Sequence, residues 1–179
     1  MSTATIPALL SDAPLGEVTT AGDGRQIVFH RRYRQSVEKV WAALTTPERL
    51  ADWFAAAQVD LRVGGTIRLN WNQGAHQAEM TITVCDPPRA LAWRWTIGER
   101  DTLVRFDLAP DGPDGEGGCA LTLTHSGLSL DGARDGGVRA GWHAHLEALP
   151  DALDGRATPW ETKVAREQAL AGAYPKLTA

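Results

Sequence analysis

Gly141-Trp142-His143-Ala144-His145-Leu146 is the stretch that decides the fold of this chain. It lies in a segment with helical periodicity that follows five segments with strand-like alternation. At roughly 100° per residue, one face of the helix carries Val138, Trp142, His145, Leu146, Leu149 and Leu153. His143, Glu147 and Asp151 point elsewhere. The pattern predicts an amphipathic helix that covers a sheet, with His145 turned inward and His143 not.

The five upstream segments alternate apolar and polar residues with period two. Their apolar sets are Ile67, Leu69 and Trp71; Ala78, Met80, Ile82 and Val84; Leu91, Trp93, Trp95 and Ile97; Val104, Phe106 and Leu108; and Leu121, Leu123 and His125. Such alternation is typical of antiparallel strands with one solvated and one covered face. The connections at 72–74, 86–88 and 110–118 suit hairpins. We therefore expect one antiparallel sheet covered by the helix around Trp142.

The residues before this sheet predict a hairpin and two short helices. A weak strand at 15–20 and a stronger one at 26–34 flank the turn signal Asp23-Gly24. Ser36 is placed to cap the first helix. Thr46-Pro47 begins the second, since threonine can cap free amides and proline at the first helical position loses no hydrogen bond.

A proline also affects the helices predicted in the C-terminal part of the chain. Pro150 predicts a kink in the long helix or its end near Leu149, because the proline ring clashes with the carbonyl of Leu146. Asp154-Gly155 is expected to end any part of the helix that continues beyond Pro150. A last helix is expected from about 159 to 171, carrying aromatic and aliphatic residues. We expect a flexible leader at 1–14, the main domain at 15–155, and a helical extension at 156–179 packed on that domain.

Composition excludes several classes of protein. With 179 residues and a net charge of −4, the chain predicts one domain without a basic footprint for nucleic acid. The local cluster of Arg25, His30, Arg31, Arg32 and Arg34 is interpreted as the solvent-exposed face of a strand. Cys85 and Cys119 lack CxxC spacing, which fits a reducing cytoplasm rather than a zinc site or disulfide framework. No apolar run reaches the roughly 18 to 20 residues that span a bilayer.

The order of these motifs resembles a known family. The residues that carry the resemblance are Val40-Trp41-Ala42-Ala43-Leu44-Thr45, Pro47-Glu48, Trp53-Phe54, Gly64-Gly65, Pro87-Pro88 followed by Trp93, Leu121-Thr122-Leu123-Thr124-His125 and Gly141-Trp142. They resemble the prokaryotic proteins similar to the C-terminal domain of the Hsp-90 ATPase activator. Those proteins belong to the START-like (SRPBCC) superfamily, alongside polyketide cyclases and Bet v-type pollen allergens.

The resemblance spans 15–155 and implies an α+β helix-grip fold. In that fold a curved antiparallel sheet wraps around a long C-terminal helix, and two short helices follow the first strand. It also implies an apolar cavity between the sheet and the long helix, used for lipids, polyketides or other hydrophobic small molecules. The superfamily hosts binders, enzymes and co-chaperone domains, so the fold alone does not select one function.

Seven inward residues are the candidate ligand contacts. They are Trp71, Trp93, Trp95, Phe106, His125, Trp142 and His145. The indoles offer stacking surfaces, and the alternative is plain core packing. His125 and His145 could orient a ligand headgroup, act as acid and base, or be tied to backbone carbonyls. The spacing of His143 and His145 does not favour a metal site, and no catalytic residues, phosphate loop or cofactor motif are identified.

Our leading hypothesis is a cytoplasmic, non-enzymatic protein that binds a hydrophobic small molecule between sheet and helix. One alternative is a cyclase or hydrolase that uses His125 or His145 as a general base. The other is an interaction module that stimulates a chaperone ATPase, as the family name suggests. A weak homodimer is also expected, with Tyr33, the basic strand and the C-terminal aromatics as its surface.

Overall fold

The computed structural model describes residues 14–21, 24–112, 117–128 and 133–174. The expected leader lies almost wholly outside the described residues, as does Asp23 of the predicted turn. In chain order the elements are β1 Glu17–Ala21, β2 Gly24–Tyr33, α1 Val37–Thr45, α2 Pro47–Trp53, β3 Ala56–Val59, β4 Thr66–Trp71, a 3-10 turn Asn72–Gly74, β5 His76–Asp86, β6 Ala90–Ile97, β7 Arg100–Pro110, β8 Cys119–Leu128, α3 Ala133–Leu153 and α4 Trp160–Ala173.

The described strands form one antiparallel sheet in the order β1-β2-β8-β7-β6-β5-β4-β3. Its covered face packs against α3, which confirms the predicted α+β helix-grip fold. The two short helices follow β2 rather than the first strand. The alternation pattern missed β3, because this edge strand has four residues and pairs with β4 alone.

Alternation predicted the covered face correctly except in β5. The register between β5 and β6 shifts between Ile82 and Val84, where Thr83 forms a bulge. Beyond the bulge Val84 pairs with Ala92, and Cys85 pairs with Leu91 and packs against the core. The expectation that Val84 faces the core is therefore wrong, because one extra residue turns the rest of the strand over.

The two short helices pack under one end of the sheet and begin as predicted. The Ser36 side chain accepts the N–H of Lys39 at 3.4 Å and caps α1. The hydroxyl of Thr46 does not cap α2; the backbone carbonyl of Thr46 instead accepts the N–H of Leu50 at 2.9 Å. Thr46 already ends α1 through its own N–H, which donates to Ala42, so one residue serves both helices through its backbone.

The helix α3 continues through Pro150 to Leu153, so the expected end near Leu149 does not occur. Pro150 is exposed, whereas Leu149, Ala152 and Leu153 are buried. Burial of the residues beyond the proline offsets the hydrogen bond that the proline cannot donate. Gly155 follows with a φ of +83°, the conformation expected just after a helix.

The helix α3 is buried on two faces rather than one. Its second face packs against α4 through an apolar cluster of Ala140, Ala144, Leu170 and Tyr174. His143 lies on that second face and is only 1% exposed. The expectation that His143 points away from the interior is wrong, because α4 covers the side of α3 that the sheet leaves open.

Candidate functional site

A groove of about 720 Å³ lies between the β4–β6 part of the sheet and the middle of α3. This volume falls in the range typical of small-molecule sites. Seven of its lining residues have rings: Phe54, Trp71, His76, Trp95, Trp142, His145 and Trp160. The remaining lining residues are small, aliphatic or polar: Gln77, Ala78, Glu79, Thr96, Ile97, Gly137, Val138 and Gly141.

Phe54 is the residue around which the ring walls are built. Its ring stacks on Trp142 with centroids 5.3 Å apart, and meets Trp71 edge-on at 5.5 Å and His145 edge-on at 4.8 Å. Trp71 in turn lies parallel to Trp95 at 6.1 Å. The groove therefore has ring planes in two nearly perpendicular orientations, which hold each other in place.

The candidate site predicted from the sequence did not include Phe54 or Trp160. Phe54 directly follows α2, and its non-helical backbone turns the ring toward α3. The apolar pair Trp53-Phe54 was a visible signal, but it entered the prediction only through the family resemblance. Trp160 opens α4, whose docking position periodicity does not encode.

His125 is completely buried at the centre of a hydrogen-bond chain that joins α3 to the sheet. Trp142 Nε1–H donates to His125 Nδ1 at 3.0 Å, so the ring proton resides on His125 Nε2. His125 Nε2–H donates to Thr102 Oγ1 at 2.8 Å, and Thr102 Oγ1–H donates to the carbonyl of Trp95 at 2.7 Å. Burial lowers the pKa of His125 to about 4, so the imidazole is neutral near pH 7.

His145 lines the groove and also forms a hydrogen bond at the C-terminal end of α2. His145 Nδ1–H donates to the carbonyl of Trp53 at 3.1 Å, and Lys163 Nζ donates to the carbonyl of Phe54 at 3.3 Å. Carbonyls at a helix C-terminus lack partners within the helix, so these two side chains satisfy them. Burial, together with the charge of Lys163, lowers the pKa of His145 to about 4. Burial also lowers the pKa of Lys163, to about 8, against the opposing effect of Asp52.

Four of the seven sequence-predicted contacts line the groove, namely Trp71, Trp95, Trp142 and His145. Trp93, Phe106 and His125 are not among its lining residues. Trp93 and Phe106 pack against each other at 5.2 Å in the core, and Phe106 and His125 both lie edge-on to Trp142. Their inward direction was correct, but other rings separate them from the groove.

Charge is sparse at this site. No Lys or Arg is among the described residues that line the groove, and its one carboxylate, Glu79, is ion-paired with Arg68. The described part of the chain contains no group of three or more His, Cys, Asp or Glu side chains arranged to hold a metal. The groove therefore suits a ligand that binds through apolar surface and few hydrogen bonds.

A family model described as "Activator of Hsp90 ATPase homolog 1-like protein" matches residues 34–154. The chain belongs to this family. The match begins just before α1 and ends just after α3, and so covers Phe54 and all seven sequence-predicted contacts, from Trp71 to His145. The helix α4, which adds Trp160 to the groove of this Hsp90-activator-like protein, lies outside it.

Solved structures share the fold of this chain. The crystal structure of CalU16 from Micromonospora echinospora is 31% identical, with a TM-score of 0.65, over 88% of this chain and 92% of that one. MLL2253 from Mesorhizobium loti is 26% identical, with a TM-score of 0.65, over 73% and 98%. The Aha1 dimer from Colwellia psychrerythraea is 22% identical, with a TM-score of 0.60, over 72% and 95%, and shows the shared fold. No curated protein matches the chain.

A second buried polar cluster lies behind the groove of this activator-family chain. Tyr174 Oη accepts the N–H of Gly16 at 3.0 Å and pairs with His143 Nδ1 at 2.8 Å. On the other side of the same ring, His143 Nε2 lies 3.2 Å from Glu147, whose carboxylate also binds Arg166. This cluster ties the N-terminal segment, α3 and α4 together.

Two strand residues expected at the surface also lie in the interior. Arg31 is 8% exposed, with its guanidinium 5.2 Å from the ring of Phe29, and Tyr33 is 7% exposed. Arg31 therefore does not belong to a solvated face, and Tyr33 is not available to a dimer surface. Alternation with Ile27 and Phe29 turns both side chains inward. None of the described helices is long and apolar enough to cross a membrane.

Proposed function

We propose that this protein binds a hydrophobic small molecule in the groove between its sheet and α3. The observation that carries the proposal is a groove of about 720 Å³ lined by four tryptophans, a phenylalanine and two histidines. Burying a flat apolar ligand against such rings is favourable, and ring stacking adds about 0.5 to 1.5 kcal/mol per pair. Free Cys85 and Cys119 support a reducing, cytoplasmic setting.

Filling the groove tests this proposal. Gly141 lines the groove on α3, and the atoms nearest to a Cβ there belong to the Glu167 side chain, at 3.7 Å or more. Gly141→Leu should therefore fold and occlude the groove. Gly172→Leu is the matched control, because Gly172 is an exposed position of α4 with nothing within 4 Å of its Cβ site.

The readouts are native mass spectrometry of freshly purified protein and calorimetric titration with fatty acids and aromatic compounds. We expect a co-purified or added ligand to bind the parent protein and Gly172→Leu, and to bind Gly141→Leu at least tenfold more weakly, a loss of about 1.4 kcal/mol. Equal binding by all three proteins would place any ligand elsewhere. Absence of binding by every compound would reject the proposal.

The cyclase or hydrolase alternative receives less support from the same geometry. Both ring nitrogens of His125 are engaged in hydrogen bonds, which leaves none for a substrate proton. His145, with a pKa of about 4, is a weak general base at neutral pH. We keep the alternative as a prediction that turnover, if found, is lost on His145→Asn.

The chaperone alternative rests on the family to which the chain belongs. We propose it second, since the family description refers to activation of the Hsp90 ATPase. Adding this protein to a purified chaperone of that class should then raise ATP hydrolysis, and a flat response would remove the alternative. The weak homodimer also stays a prediction, now without Tyr33, and sedimentation over a range of concentrations tests it.

A further inference from the structure

The two ring nitrogens of His145 have different roles. Nδ1–H donates to the carbonyl of Trp53, which fixes the neutral tautomer and leaves a lone pair on Nε2. No hydrogen-bond partner for Nε2 is found in the described part of the chain, and His145 is one of the residues that line the groove. The ring edge away from Trp53 is therefore an acceptor whose orientation is set by the backbone.

The surroundings of His145 keep this acceptor neutral and disfavour an anion. Lys163 faces His145 from α4, and its charge adds to burial in opposing protonation of the imidazole. Lys163 Nζ itself donates to the carbonyl of Phe54 and does not line the groove. A carboxylate in the groove would meet Glu79 at its wall, and no Lys or Arg among the described lining residues offsets the hydration that the carboxylate loses.

We propose that the groove selects neutral aromatic ligands that carry a hydroxyl or N–H group, and that His145 Nε2 accepts the hydrogen bond from that group. This inference rests on the proposed ligand-binding function and adds the ligand class. The ring planes of Phe54 and Trp71, at 88° to each other, offer a face and an edge to a flat ligand at once. Hydrocarbons can pack against the rings but leave Nε2 unpaired, while fatty acids bring a negative charge that no Lys or Arg of the described groove lining neutralises.

Three probes of equal ring size test the selection by calorimetry: 2-naphthol, 2-methoxynaphthalene and 2-naphthoate. The parent protein should bind 2-naphthol about five- to tenfold more tightly than the methyl ether, which has no donor. It should bind 2-naphthoate more weakly than 2-naphthol. Because the methyl ether is the more hydrophobic of the two neutral probes, apolar burial alone predicts the opposite order.

His145→Asn isolates the acceptor. The asparagine amide reaches the position of Nδ1 and can still donate to Trp53, but nothing replaces Nε2. We expect the naphthol preference to fall to about twofold or less, whereas binding of the methyl ether changes little. His143→Asn is the matched control on the opposite face of α3, where His143 contacts Tyr174 rather than the groove, and it should keep the parent preference.

The outcomes separate this inference from the proposed function. Equal binding of naphthol and its methyl ether by the parent protein, or an unchanged preference in His145→Asn, overturns the inference while leaving ligand binding intact. Binding of a fatty acid but of none of the three naphthalenes does the same. If no compound binds, the proposed function fails and the inference fails with it.

Discussion

The hydrogen bond from Trp142 to His125 sets the position of one groove wall relative to the sheet. Removing the indole N–H leaves His125 Nδ1 buried without a donor, which costs about 1 to 3 kcal/mol. Trp142→Phe should therefore lower the free energy of unfolding by that amount, in addition to the cost of the smaller ring. Urea denaturation followed by circular dichroism measures the change.

Trp93→Phe is the matched control for that prediction. Trp93 is buried to the same degree as Trp142, at 2% against 3% exposed, but its Nε1 has no hydrogen-bond partner in the described structure. Both variants lose the same ring volume, so their difference isolates the hydrogen bond. Equal losses of stability in the two variants would show that the bond to His125 contributes nothing.

The two neutral histidines make stability depend on pH. His125 and His145 have pKa values near 4 in the folded protein, below the ordinary value of 6.5, so the unfolded chain binds more protons between these limits. Their contribution is complete above pH 6.5 and is lost as the pH falls toward 4. Each of the two histidines should lower the unfolding free energy by about 2 kcal/mol when the pH falls from 7 to 5.

Replacing one histidine tests this dependence. His125→Gln should lower stability at pH 7 but reduce the loss between pH 7 and pH 5 by about 2 kcal/mol relative to the parent. Urea titrations at both pH values give the four free energies. An unchanged difference between the two pH values would mean that His125 titrates normally in the fold.

Alternation could predict the direction of a side chain but not its distance from the groove. Trp93 and Trp95 lie on the same face of β6, yet Trp95 lines the groove whereas Trp93 packs against Phe106 in the core. That difference depends on where α3 crosses the sheet. The crossing is set by packing among Phe54, Trp142 and the strands, and no local pattern encodes it.

Among the elements, α4 is the one that periodicity located but could not dock. Its contacts depend on Lys163 and Arg166, two charged residues for which no partner was predicted from the sequence. In the structure Lys163 is buried against the carbonyl of Phe54, and Arg166 binds Glu147 of α3. Polar residues that pair across an interface look like surface residues until the partner is known.

Tyr174 follows α4 and holds it against the N-terminal segment. Tyr174→Phe removes the oxygen that accepts the N–H of Gly16 and pairs with His143. We expect a loss of about 1 to 3 kcal/mol in unfolding free energy and faster amide exchange at Gly16. Tyr33→Phe is the control, because the Tyr33 hydroxyl is buried without a hydrogen-bond partner in the described structure. A Tyr33→Phe variant as destabilised as Tyr174→Phe would contradict this account.

At the scale of the whole molecule, the sequence predicted the sheet, the order of its elements and the covering helix. These depend on periodicity and turns, which are local. The bulge at Thr83, the burial of Arg31 and the second covered face of α3 depend on tertiary contacts, and the sequence did not predict them.

The family match ends at residue 154, yet the molecule extends the site beyond it. A chain that stops at Gly155 loses Trp160 from the groove and the Lys163 donor to Phe54. We expect it to unfold at lower urea and to bind any groove ligand at least tenfold more weakly, because one wall is missing. Lys163→Met is the control, because it loses the hydrogen-bond donor to Phe54 but keeps Trp160. Calorimetry and urea titration of both variants distinguish the contribution of Trp160 from that of the Lys163 hydrogen bond. Unchanged affinity in the shortened chain would exclude α4 from the site.

The chain of hydrogen bonds from Trp142 through His125 and Thr102 ends on the carbonyl of Trp95, not on its indole. Every amino acid has that carbonyl, so exchanging the side chain at position 95 leaves the chain of bonds complete. Trp142 has no such freedom, because its indole N–H is itself a link. A change of side chain at position 95 would therefore alter the groove wall without breaking these hydrogen bonds, while position 142 is constrained by both roles.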